Sequence, residues 1–152
     1  MSQDTNQRFL GFSLGEEEFG IPLLTVKEVI ALPAITPIPQ APKHFLGIMN
    51  LRGQVISILD LRTKMNITAK KGSENAVIIC DVAGVQLGAV VDSVNQVYNP
   101  KPEDVTAASE LEHSKVASYI HSVYRDQNRL VLFLDIGKTL DVADRAILKK
   151  TA

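Results

Sequence analysis

At 152 residues the chain has the length of one domain, enough to bury roughly two-thirds of its unfolded surface around a real core. Its 16 basic residues nearly cancel 17 acidic ones, with neither sign clustered, so nothing steers it electrostatically to nucleic acid or anionic lipid. Apolar runs such as 76–80 and 130–134 are far shorter than the ~20 residues of a spanning helix, which argues against direct membrane insertion. The start, Met1-Ser2-Gln3-Asp4-Thr5-Asn6-Gln7, is polar and carries no apolar signal segment, making the cytoplasm the expected compartment.

In chain order, residues 1–7 read as a disordered tail. Residues 8–14 and 18–23 flank Gly15-Glu16-Glu17 as a first hairpin. From Pro22 the pattern changes, because Leu23, Val26, Lys27 and Ile30 fall at helical spacing; this predicts a short helix to about Ala31. Pro33, Pro37, Pro39 and Pro42 exclude helix over 32–42 and force an extended path. Residues 44–51 and 55–59 form a second hairpin about Arg52-Gly53-Gln54, with Gly53 as the structural turn residue and Arg52 held out to solvent. A helical turn is expected over 60–65, then a solvated linker over 66–75.

The second half repeats the first. Gly20-Ile21-x-Leu23-x-x-Val26-x-Glu28-Val29 matches Gly88-Ala89-x-Val91-x-x-Val94-x-Gln96-Val97, each preceded by a hairpin. Val55-Ile56-Ser57-Ile58-Leu59-Asp60-Leu61 returns as Leu130-Val131-Leu132-Phe133-Leu134-Asp135-Ile136, and matches in the same order argue for duplication. Short strands at close spacing predict a mainly β fold of two small antiparallel barrels side by side, with short helices and an amphipathic C-terminal helix over 142–150.

Chemistry is sparse. The lone cysteine, Cys80, lies inside an apolar run and reads as a small buried hydrophobe. His44, His113 and His121 have no metal-ligand spacing. His121-Ser122 with Asp126 and Asp135 resembles a hydrolytic set only in composition, with no nucleophile elbow or oxyanion loop. Asp60 and Asp135, as repeat counterparts, are expected to cap the turns after equivalent strands. No cofactor motif is present, so a surface acting on partners is the expected mode, with enzymatic turnover not expected. A small nucleic-acid-binding barrel is the alternative, weakened by neutral charge and 5% aromatic content.

Asn50-Leu51-Arg52-Gly53-x-Val55-Ile56-x-Ile58-x-Asp60-Leu61-Arg62 closely resembles the signature of the CheW family of bacterial chemotaxis coupling proteins. Leu14-Gly15-Glu16-Glu17-Glu18-Phe19-Gly20-Ile21 and Gly88-Ala89-Val90-Val91-Asp92-x-Val94 extend the likeness, and Ser57 stands where the family usually has proline. The resemblance implies two five-stranded SH3-like barrels over 8–150, divided near 14–70 and 76–136 with terminal elements free to cross between them. It also implies an adaptor joining chemoreceptor tips to the histidine kinase CheA. By matched motif, Glu28, Arg52, Leu23, Val26, Val29 and Val94 would face the receptor; Gly47 and the loop Ile35, Thr36, Pro37, Ile38 would face the kinase. On that assignment an aspartate at position 47 is expected to weaken kinase binding and spare the fold.

Overall fold

The computed structural model describes residues 7–72, 75–107 and 119–151. Apart from Gln7, the tail expected to be disordered lies outside them, as does His113. The strands are β1 (Phe9–Leu14), β2 (Glu17–Pro22), β3 (Val26–Ala31), β4 (Phe45–Leu51), β5 (Gln54–Asp60), β6 (Ala76–Val82), β7 (Val85–Val91), β8 (Ser93–Tyr98), β9 (Val105–Ala107), β10 (Ile120–Asp126) and β11 (Arg129–Leu134). Helices are brief: α1 (Leu61–Lys64), α2 (Ile136–Thr139) and α3 (Val142–Thr151).

The strands form two SH3-like sheets, ordered β3-β6-β7-β5-β4 and β8-β1-β2-β11-β10-β9. The order is the same in both if each half lends its first hairpin to the other: β6–β7 sits among β3, β4 and β5, while β1–β2 sits among β8, β10 and β11. Both sheets therefore draw on both sides of the linker. The exchange also corrects the expectation of purely antiparallel barrels, because the visiting hairpin meets its host strand in parallel, β7 on β5 and β2 on β11. Neither sheet closes by a hydrogen-bonded pair between its outer strands.

Side-chain alternation sorts the apolar residues into three layers. A shared core lies between the sheets and takes Leu10, Phe12 and Leu14 from β1, Ile78 and Cys80 from β6, and Leu87, Ala89 and Val91 from β7. The opposite face of the five-stranded sheet holds Met49, Ile56, Ile58, Val77, Ile79 and Val90. That of the six-stranded sheet holds Phe9, Tyr98, Val131 and Phe133, with Phe9 and Phe133 stacked at 3.7 Å between ring centroids.

The helix expected to follow Pro22 is instead one 3-10 turn, Leu23–Thr25, and strand β3. A β-bulge produced the misleading period. Val26 opposes Cys80 and Glu28 opposes Ile79, so the extra residue puts Val26 and Val29 on one face although they are three apart. The repeat does the same on β8, where the register slips between Gly11, opposite Gln96, and Phe12, opposite Val94.

Of the two expected caps, Asp60 accepts from the amides of Arg62 (2.9 Å) and Thr63 (3.4 Å) at the start of α1. Asp135 stands at the same place before α2 but makes no such bond, which corrects the second expectation. The sequence Asp60-Leu61-Arg62 gives the difference, because Arg62 Nε and Nη2 donate to Asp60 at 3.0 Å and hold its carboxylate against the helix, whereas the repeat has Gly137 there.

Arg62 is only 7% exposed, and its Nη1 reaches the fully buried Asp92 at 2.7 Å. Asp92 also accepts from the amides of Gly15 (2.6 Å) and Lys70 (3.2 Å). Hydrogen bonds donated to Asp60, opposed by burial and helped by Asp92, hold the guanidinium above its ordinary range. At the other end of α1, Lys64 Nζ meets the buried Asp144 at 2.8 Å, and His44 Nε2 meets the same carboxylate at 2.6 Å. Burial lowers the Lys64 ammonium's proton affinity, but Asp144 and Asp141 outweigh it and leave a net rise. Asp141 and Asp144 each accept the other's amide, at 2.9 and 3.1 Å, a reciprocal cap that starts α3.

Removing one partner of a buried, hydrogen-bonded pair strands the other charge, at a cost of about 3–5 kcal/mol. Arg62→Met should therefore lower the unfolding free energy by about that amount in urea denaturation, while Arg52→Ala at the exposed turn should cost less than about 1 kcal/mol. Equal costs would show that the Asp92 network is solvated and not structural.

Candidate docking surface

The β4–β5 hairpin turns on Arg52 and Gly53, with φ of 53° and 85°, a two-residue turn whose twist suits the strands it joins. Glycine reaches that region freely; arginine does so at a cost that the turn repays with a 2.8 Å bond from the Gly53 amide to Asn50 Oδ1. Arg52 is thereby aimed across the open side of the five-stranded sheet, where its Nη2 donates to Glu28 Oε1 on β3. The outermost strand on one flank is thus joined to the hairpin on the other by a charge pair where backbone pairing stops.

The register places Glu28 on the same face as Ile79 and Ile30, at the mouth of the barrel interior. The Arg52 side chain is 70% exposed and that of Glu28 32%, so both remain within reach of a partner. At the repeat-equivalent positions the second half has Gln127, also at positive φ, and Gln96, so only the first barrel carries the charges.

The apolar residues matched to this surface divide. Val29 is 42% exposed on β3. Leu23, Val26 and Val94 are partly buried against the shared core, and Val94 belongs to β8 in the other sheet. Glu28 and Arg52 are in direct contact, while Val94 packs against the shared core from the other sheet.

Gly47 and the loop matched with it do come together. The Thr36 amide donates to Ile48 O at 2.9 Å, and Ile48 N returns to Thr36 O at 2.8 Å, laying the loop along the free edge of β4. Beneath that crossing Gly47 is buried with φ 147°, and a Cβ there would lie 2.0 Å from Thr36 O. The expectation that an aspartate at 47 spares the fold is therefore corrected: Gly47 supports the loop from below, while Thr36 and Pro37 are its exposed residues and Ile35 and Ile38 are half-buried.

Elsewhere the chemistry is quiet. Burial pushes the Cys80 thiol up to about 12, which keeps it protonated and unreactive. His121 Nδ1 and Ser122 Oγ are 2.8 Å apart, yet Ser122 is buried and, among the described residues, no carboxylate pairs with the imidazole. Among the described residues, no histidine, cysteine and carboxylate group is spaced to hold a metal, and no helix is long and apolar enough to cross a membrane.

A CheW-like domain model matches residues 8–144. A chemotaxis protein CheW from Treponema pallidum is 33% identical over 89% of this chain and 82% of its own length. Another, from Klebsiella aerogenes, is 32% identical over 99% of this chain and 91% of its own. Among solved structures, the scaffolding protein TtCheW of Thermoanaerobacter tengcongensis superposes with a TM-score of 0.80 at 25% identity, covering 90% of this chain and 94% of that one. With that match spanning both barrels and the seam between β3 and the β4–β5 hairpin, this chain belongs to the CheW-like domain family.

Proposed function

We propose that this protein is a non-catalytic cytoplasmic scaffold of chemotaxis signalling, coupling the cytoplasmic tips of methyl-accepting receptors to the histidine kinase CheA. Relatives named as chemotaxis and scaffolding proteins support the role, and the Glu28–Arg52 pair carries the assignment of a surface to it. A receptor tip is a helical hairpin presenting both charge signs and an apolar stripe. A surface able to receive it needs apolar area for affinity and fixed charges for register. Val29, 42% exposed on the other face of the edge strand β3, supplies the first from across that edge and the paired but accessible charges the second, held on strands and so positioned at little entropic cost. The kinase's regulatory domain, itself like this fold, would pack on the loop over Gly47, where Thr36 and Pro37 are exposed.

Arg52→Glu should weaken receptor binding ten-fold or more, the equivalent of about 1.4 kcal/mol, and leave kinase binding and Tm nearly unchanged. Glu28→Lys should act in the same sense. The double variant Arg52→Glu/Glu28→Arg restores an ion pair with reversed polarity. Calorimetry against a receptor-tip fragment should find it as defective as either single variant if the partner reads each charge, and restored if the pair merely closes the barrel.

The kinase surface separates support from contact. Thr36→Lys, which changes an exposed side chain above an intact backbone bridge, should weaken binding to the isolated kinase regulatory domain with Tm unchanged. Gly47→Ala should lower Tm and kinase affinity together, since the collision with Thr36 O displaces the loop. Undiminished affinity in Thr36→Lys would remove this loop from the interface.

A further inference from the structure

The two halves finish their equivalent corners differently. In one corner the β1–β2 turn at Gly15, the β7–β8 junction at Asp92 and helix α1 are drawn together by Arg62, and the chain then runs back over them: the Ile67 amide donates to Arg62 O at 2.8 Å, and the Lys70 amide to Asp92 at 3.2 Å. A Cβ on Gly15 would meet Thr68 O at 2.8 Å, a measure of how closely this cover lies.

In the other corner the repeat-equivalent elements are the β6–β7 turn at Ala83, the β2–β3 junction at Leu23–Thr25, and α2. No chain segment among the described residues fills it. There is a cleft of about 220 Å³ between Pro22, Thr25, Val82, Ala83, Asp135 and Gly137, and Leu24 beside it is 96% exposed. After α2 the chain departs to α3, which docks by Asp144 onto His44 and Lys64. Asp135 occupies the position of Asp60, but Gly137 stands where Arg62 would be, and among the described residues the Asp135 carboxylate has no hydrogen bond or ion pair. Asp81, lining the same cleft, bonds only the Gly84 amide in its own turn, at 3.0 Å. Arg145 spends Nη2 on Gly137 O of α2 at 2.7 Å and pairs with neither carboxylate; His121 also lines the cleft.

We infer that this cleft receives an arginine side chain from an extended segment of a partner protein, which supplies in trans the guanidinium that Arg62 supplies in cis at the equivalent corner. The walls suit the occupant. Pro22, Val82 and Leu134 offer apolar contact for an arginine stem, and two carboxylates line the cleft, Asp135 with no partner among the described residues and Asp81 bonded only to the Gly84 amide there. Arginine is specified over lysine by the first corner, where the planar guanidinium grips Asp60, the counterpart of Asp135, through both Nε and Nη2; Leu24 stands at the position of Asp92, so this grip is the half of the bridge that recurs. The cleft is distinct from the Glu28–Arg52 seam.

The probe is a capped peptide with the sequence of residues 61–70, the segment that covers the first corner, added to the intact protein and followed by amide chemical shifts. Shifts centred on Ala83, Ile136 and Gly137 are expected, and replacing the peptide arginine by citrulline, or Asp135 by Asn in the protein, should each weaken binding about ten-fold. Gly137→Arg tests the same point without a partner. Its Cβ would sit 3.2 Å from Val82 Cγ1 and 3.3 Å from Asp135 Oδ1, tight but adjustable, so the variant should fold, show a raised Tm that Asp135→Asn cancels, and no longer respond to the peptide. Absent shifts, shifts centred elsewhere, equal affinity for the citrulline peptide, or a Gly137→Arg effect indifferent to Asp135 would each overturn the assignment. None of these outcomes depends on receptor or kinase binding.

Discussion

One buried carboxylate holds the architecture to a single arrangement. Asp92 lies where the chain leaves β7, in the five-stranded sheet, and enters β8, in the six-stranded one. Its acceptors are filled from the β1–β2 turn by Gly15, from the linker by Lys70 and from α1 by Arg62. A charge with no exposure is tolerated only with full compensation, so any rearrangement that moved one of these three elements would leave an unpaired ion in an apolar core. Because the halves are repeats, each first hairpin has two hosts of similar shape. The Asp92 network occurs in one corner only, and it breaks that degeneracy.

Much of this was legible in the residues. Hairpins announced themselves by alternation and glycine turns, and the duplication by matched spacing, because those signals are local. What failed was non-local. The helix after Pro22 was a strand because a bulge placed Val26 and Val29 on one face, imitating a helical period that only the pairing with Cys80 and Ile79 exposes. Burial of Gly47 depends on residues 35–38 crossing β4, and no pattern around position 47 records that crossing. Exchange of the hairpins leaves no local trace, since either host offers the same kind of strand edge. Asp92 reads as one acid after an apolar run, and the partners that account for it are as far off as Gly15.

Of the residues assigned to the proposed receptor surface, Glu28 and Arg52 meet in the structure, and the turn gives a physical reason to attend to them. A positively charged residue at the first position of a primed turn costs backbone energy that other residues would spare, so its presence asks for a use outside the turn. Glu28 meets Arg52 in the free protein, and on most surfaces such a pair adds little to stability. Its effect here is geometric: two long side chains that would otherwise sample many rotamers are confined across the seam of a sheet that hydrogen bonding leaves open.

The three charge sites differ in what completes them. Around Asp92 every partner is internal and the pair is sealed, which serves the fold. Glu28 and Arg52 are complete but exposed, so a partner can exchange its own carboxylate or carbonyl for theirs with modest desolvation. Among the described residues the Asp135 carboxylate has no partner, although its repeat equivalent shows that this position accommodates a guanidinium. Of the two equivalent corners, one holds Arg62 under a covering linker, while the other has Gly137 and, among the described residues, no such cover, which leaves it half-built. A half-built site is the cheapest route by which a repeat protein acquires a binding surface, because the geometry has already been selected in the other copy.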